Sequence, residues 1–185
     1  MGEASDRILE WTREMDSHST AEWDRMPEIY LYMDQVITYM NGQLHLFERD
    51  ENTALLTSSM INNYVKAGVL ERPDKKKYGR DHLAMLTVIC ILKQVLSIPD
   101  IAKLLEDARG EGEKRELYEN FRSAQFSAVK EVCSRVAETA ARGDGELLRL
   151  ATILSIEASA RRTAAERIIS ELSLQKVAEQ EKEKK

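Results

Sequence analysis

A mainly α-helical chain, built as a winged helix-turn-helix unit followed by a long C-terminal helical hairpin, is what the sequence predicts. Only three prolines and eight glycines interrupt 185 residues, which leaves room for long helices. Thr57 to Arg80 reads as a short capped helix followed by a basic hairpin. Beyond Glu113, apolar residues recur at three- and four-residue steps almost to the end of the chain, as on one face of a helix.

Residues 1–26 are expected to form an N-terminal helical arm. It has one amphipathic stretch with Ile8, Leu9, Trp11 and Met15, a polar loop from Asp16 to Thr20, and then Trp23. Both tryptophans are expected to pack on the helical body. Residues 27–110 form the winged helix-turn-helix domain. Asp34 is placed to cap a helix running to about Phe47, with Val36, Ile37, Met40 and Leu44 as its apolar stripe. A long connection, Glu48 to Ala54, leads from this supporting helix to the next. Thr57 and Ser58 supply capping oxygens for a helix over 58–67, and Gly68 supplies the left-handed residue that ends it. Ile61, Tyr64 and Val65 share one face of that helix; Ser59, Asn62, Asn63 and Lys66 share the other.

A wing over 70–80 follows, with Val69 and Leu70 as one strand, Pro73 and Asp74 as the turn, and Lys75 to Tyr78 as the returning strand. The next helix, starting at Gly79 or Asp81, is apolar nearly all round from Leu83 and should be the buried centre. Ser97, Pro99 at the first helical position and Asp100 start another, with Ile101, Leu104 and Leu105 facing inward. Arg109 to Glu113 is a polar, glycine-bearing linker, and the domain boundary falls there. Residues 111–185 form the hairpin. Its first helix carries Leu117, Phe121, Ala124, Ala128, Val132, Val136 and Ala140, and Gly143 and Gly145 break it around Asp144. Its second carries Leu147, Leu150, Leu154, Ala158, Ala165, Ile169 and Leu172. At 1.5 Å per residue that last helix is about 50 Å long, more than the small domain needs, so a partner helix is expected.

The whole chain carries a formal charge of −5, yet Lys66, Arg72, Lys75, Lys76, Lys77 and Arg80 lie within fifteen residues, opposed by Glu71 and Asp74. Positive charge concentrated in this way suits a phosphate backbone, and asparagine amides suit base edges. The DNA-binding candidates are therefore Ser59, Asn62, Asn63 and Lys66 on the helix, with Lys75, Lys76, Lys77, Tyr78 and Arg80 on the wing. No GxSxG, Walker-type or HExxH pattern occurs, and the paired acidic residues fall in polar loops, so no catalysis is expected. His18, His45 and His82 are isolated and read as surface residues, and Cys90 and Cys133 sit in apolar helical patterns without metal-ligand spacing. No cofactor, metal or disulfide is expected. The start, MGEASDRILEW, does not read as a secretory signal, and the apolar run Leu83 to Leu92 is too short for a bilayer. A cytoplasmic protein without a membrane partner is the expectation.

Tyr64, Gly68, Val69, Leu70 and Tyr78 give this region a general resemblance to the DNA-binding half of MerR-type regulators, although Asn62 and Lys76 stand where that family has arginine. A closer resemblance is carried by LYMDQVITYMN, LTSSMINNYVKAGVL and KKKYGRDHLAMLTVICILKQVLSIPDI. Over about residues 27–106 these segments resemble the bacterial family known as domain of unknown function 1836. The resemblance implies a MerR-like winged helix and brings no biochemical activity with it. The expected function is that of a transcription regulator binding double-stranded DNA as a homodimer through its C-terminal helices. The alternative is a helical protein–protein adaptor whose winged helix does not bind DNA. A small-molecule effector between the last two helices, near Tyr118, Phe121 and Phe126, is conceivable, but core packing explains those rings more simply.

Overall fold

The computed structural model describes residues 3–47, 55–106 and 110–183. The described residues form seven α-helices: α1 (Glu3–Ser17), α2 (Met33–Leu44), α3 (Ser58–Lys66), α4 (Arg80–Leu92), α5 (Ile98–Leu105), α6 (Glu111–Ala140) and α7 (Asp144–Glu183). The Glu48–Ala54 connection lies outside the described residues, as does Arg109 of the expected linker, whose last three residues already belong to α6.

The core is built around α4. Every residue from His82 to Cys90 is buried, so no face of this helix is left for solvent. Val36, Met40 and Leu44 of α2 cover it, joined in the same core by Ile61 and Tyr64 of α3, Ile101 of α5, Tyr118 of α6 and Ile169 of α7. The α2 stripe recurs at four-residue steps, as its sequence predicts. Its cap differs: the helix starts two residues early, and the Gln35 side chain accepts the Tyr32 N–H at 2.9 Å, so Asp34 lies inside the first turn.

Helix α3 is closed at both ends by its own sequence. Thr57 Oγ1 accepts the Met60 N–H at 3.3 Å. At the other end Gly68 takes φ +72°, the Gly68 N–H donates to Val65 O, and the Val69 and Leu70 N–H groups both donate to Tyr64 O. This is a Schellman closure, and it is why the expected strand at Val69 and Leu70 does not form. Their donors are consumed by the helix end and their side chains enter the core.

Among the described residues there is no β-strand, only two isolated antiparallel bridges. The turn after α3 falls two residues later than Pro73 and Asp74. Lys75 (φ +47°) and Lys76 (φ +63°) occupy its two central positions, and the Lys77 N–H donates to Asp74 O at 2.8 Å. Positive φ at both central residues is the hairpin-turn geometry that matches strand twist. Tyr78 then pairs with Leu31, through N–H to O bonds of 2.9 Å in each direction. The returning segment is thereby anchored to the chain just ahead of α2.

Helix α1 runs antiparallel to α6, with the Ser5 hydroxyl on Asp144 Oδ1 at one end and Thr20 O accepting from Arg122 at the other. Its buried face is Ser5, Thr12 and Met15; Trp11, expected to pack inward, is 41% exposed. Trp23 does pack, tilted against the ring of Tyr118, whose hydroxyl donates to Ala21 O at 2.6 Å. In α5 the Ser97 hydroxyl accepts the Asp100 N–H and Pro99 is the second helical residue, but Leu104, expected inward, is 44% exposed. Gly143 (φ +104°) makes the turn into α7, which returns along α6 with a two-pronged Arg135–Glu157 ion pair, both bonds 2.9 Å. The 40 residues of α7 span about 60 Å and carry exposed Leu148, Ile153, Ile156, Ile168, Leu172 and Leu174. Among the described residues, no helix is long and apolar enough to cross a membrane.

Because Gly68 holds a left-handed backbone, Gly68→Ala is expected to lower unfolding free energy by about 1 kcal/mol, measured by urea denaturation. Open space around the position means that the loss reports backbone strain and not a clash.

Candidate nucleic-acid interface

The exposed face of α3 carries Ser59, Asn62, Asn63 and Lys66, all open to solvent. Lys75, Lys76 and Lys77 are exposed on the tight turn. The two elements meet across a cleft of about 500 Å³ lined by Tyr32, Asp34, Asn62, Val65, Arg72 and Lys76, among others. Two anchors set the geometry: the Schellman closure fixes where the chain leaves α3, and the Leu31–Tyr78 bridge fixes where it returns. Among the described residues, no ion pair engages Lys66, Arg72, Lys75, Lys76 or Lys77. Glu71, which the sequence sets against this charge, is turned instead to Lys114 Nζ at 2.7 Å.

Two expected site residues stand apart from this surface. Tyr78 is 3% exposed, in the core, with its ring edge-on to His82. Burial raises its hydroxyl pKa above the ordinary value. Arg80 points the other way, with Nη2 3.1 Å from Glu28 Oε1 and 3.4 Å from Met26 O, and Nη1 3.8 Å from Asp24. Both are held by structural partners. Conversely, Tyr30 and Tyr32, which sequence reasoning left out, are exposed, and Tyr32 stands beside the lysine turn, with Lys77 Nζ 5.9 Å from its ring centroid. The ring of Tyr30 lies against Gly79, where a Cβ would come within 3.1 Å of it. The signal for both was the Tyr30, Leu31, Tyr32 alternation: with Leu31 inward, its neighbours must face out.

A family model described as a domain of unknown function, DUF1836, matches residues 21–124, more than half of the chain. The chain belongs to this family. The match takes in the core helices α2 to α5, the lysine turn and the first part of α6, so the DUF1836 region reaches beyond the segments that carry the resemblance. No curated protein and no solved structure matches the chain.

Next to the residues that close α3, the DUF1836 region holds an ionic cluster around one buried lysine. Lys114 of α6 is 7% exposed, its Nζ 2.7 Å from Glu71 and 3.4 Å from Asp81 Oδ2. His82, expected at the surface, is buried here. Its Nδ1 accepts the Gly79 N–H at 3.2 Å and lies 3.2 Å from Asp81 Oδ1. The histidine sits at the third position of a helix that has no side-chain oxygen at its cap, and the ring takes over that role. His18 is half-buried, with Nε2 2.8 Å from Gln43 O, while His45 is exposed. Among the described residues, no three His, Cys, Asp or Glu side chains are grouped to hold a metal ion. Burial lifts the Cys90 thiol to about 12, which leaves it protonated and unreactive at neutral pH.

The contacts of Asp81 with His82, with the nearby Lys114 ammonium adding to them, hold its carboxyl well below the usual carboxylate range. A folded-state pKa below the unfolded one gives stability that is complete above the ordinary aspartate value and drains away in acid. The difference in unfolding free energy between the native chain and Asp81→Asn is therefore expected to be constant near neutrality. It should shrink as pH falls below about 4, followed by urea unfolding at each pH.

Proposed function

We propose that the chain is a DNA-binding transcription regulator of the MerR-like winged-helix kind, acting on double-stranded DNA as a dimer. Helix α3 enters the major groove, and the turn Lys75–Lys77 lies on the flanking backbone. The observation that carries this reading is the meeting of Asn62 and Lys76 across one cleft, on a surface where five cations have no ion-pair partner among the described residues. In a chain of charge −5 such a surface is electrostatically distinct. Asn62 and Asn63 offer amides for adenine edges, and Lys66 and the turn lysines offer ammonium groups for phosphates.

Retention on fragmented genomic DNA tests it. With six to ten phosphate contacts per dimer, affinity is expected to fall about 10³- to 10⁵-fold between 50 and 200 mM salt. A variant with Lys75, Lys76 and Lys77 all changed to Ala should lose binding on every sequence. A flat salt response by the folded protein overturns the reading and leaves the adaptor role, which draws its own support from the exposed Ile29, Tyr30 and Tyr32.

The dimer rests on α7. Ile156, Ala160, Ala164, Ile168 and Leu172 follow one another at four-residue steps and are all exposed, forming one ridge of the helix surface. Two such ridges interdigitate at a crossing angle of about −50°, and the alanines at the middle allow close approach. Sedimentation should give twice the 21.1 kDa of a single chain, and Ile156→Glu combined with Ile168→Glu should give one chain with unchanged helix content.

A further inference from the structure

The cleft between α2, α3 and the lysine turn is more than the gap between two DNA-contacting elements. Its lining brings together three kinds of side chain that suit a single ligand. Tyr32 supplies an aromatic ring that is 52% exposed, with Lys77 near one face. Arg72 and Lys76 supply cations that make no ion pair among the described residues. Asn62 and Asp34 supply an amide and a carboxylate from two different helices. Val65, Met33 and Pro73 complete the wall with apolar surface. A volume near 500 Å³ falls within the range of small-ligand sites.

The backbone adds a separate observation. Lys76 holds φ +63° and Lys75 +47°, in a turn whose two central positions favour Asn and Gly. Residues held in sparsely populated backbone regions cluster at functional sites, where the side chain has a task that offsets the strain. Lys76 is the strained residue that lines the cleft.

We propose that this cleft is a nucleotide subsite, holding one nucleoside phosphate unit with its base on the Tyr32 ring and its phosphate between Arg72 and Lys76. The base edge meets Asn62 and Asp34. A carboxylate accepts from an exocyclic amino group and an amide both donates and accepts, so adenine and cytosine suit the site and thymine, which has no exocyclic amine, does not. The unit can arrive as a free nucleotide or as an unpaired nucleotide of a nucleic acid. The second source rests on the DNA-binding reading, and the first does not.

Calorimetric titration of the full chain with dAMP, dCMP, dTMP and inorganic phosphate tests the first source. Titration with a duplex carrying one bulged adenine, against the same duplex fully paired, tests the second. The subsite predicts that dAMP and dCMP bind more tightly than dTMP and inorganic phosphate, or that the bulged duplex binds more tightly than the paired one. In either case Tyr32→Ala should weaken that binding at least about fivefold, the lower end of one base–aromatic stack, while Tyr32→Phe retains it. Arg72→Ala should weaken the same ligand. Tyr32 is exposed and contributes its backbone N–H, not its ring, to the α2 cap, so both variants keep the fold. Equal binding of bulged and paired duplex, with no mononucleotide bound, overturns the subsite and leaves the DNA-binding reading standing. Mononucleotide binding that depends on Tyr32, with no duplex bound at low salt, upholds the subsite and overturns that reading.

Discussion

Nine consecutive buried residues in α4 set the terms for the rest of the molecule. A helix that is apolar on every side has to be enclosed, and one neighbouring helix covers only about a third of its circumference. Helices α2, α3, α5 and α6 therefore pack into one core around it, and Ile169 of α7, with Ala165 beside it, reaches the same core. The candidate interface owes its rigidity to this enclosure. Ile61 and Tyr64 are drawn inward toward α4, which turns Asn62, Asn63 and Lys66 out. The polar face of α3 is the complement of its core face.

The lysine turn is held by the same logic at shorter range. Three adjacent ammonium groups repel one another, and a free loop would spread them apart. Here Tyr78 is buried immediately after them, the Leu31 bridge pins its backbone, and Val69 and Leu70 are buried before them. The charges are thus fixed between two buried anchors. Arg80, two residues beyond Tyr78, is drawn to Asp24 and Glu28 on the N-terminal segment, and Glu71 to Lys114. Neighbours in sequence are sorted into surface cations and ion-paired residues, and that sorting leaves a basic patch on an acidic chain.

Much of this was legible in the sequence, because helix periodicity and end signals are local. The α2 stripe, the Thr57 cap, the Gly68 stop and the all-apolar α4 needed no tertiary information. What could not be read was decided at a distance. Whether Val69 and Leu70 form a strand depends on who takes their N–H groups, and the taker is Tyr64 O, at the end of a helix. Tyr78 and Arg80 look like part of a basic wing until Leu31 and Glu28, about fifty residues earlier, come into view. The buried face of α1, Ser5, Thr12 and Met15, is nearly polar, and only contact with α6 explains why it is covered while Trp11 is not. In the candidate site, the cations and amides on α3 and the turn stood out by composition. Tyr32 did not, since nothing before the Leu31–Tyr78 pairing placed it beside the turn.

The Lys114 cluster joins the base of α6 to the residues that close α3. Helix α6 is 30 residues long, a rod of about 45 Å, and is braced by α1 on one side and α7 on another. Such a rod is a lever. A tilt of about 10° at Lys114 would carry the Ala140 end through roughly 7 Å, for the 1.5 Å rise per residue of an α-helix. Run in reverse, a displacement of several ångströms imposed at the far end reaches α3 as a rotation of a few degrees, with proportionally greater force. Any such rotation would be opposed at its base by a buried lysine held by two carboxylates.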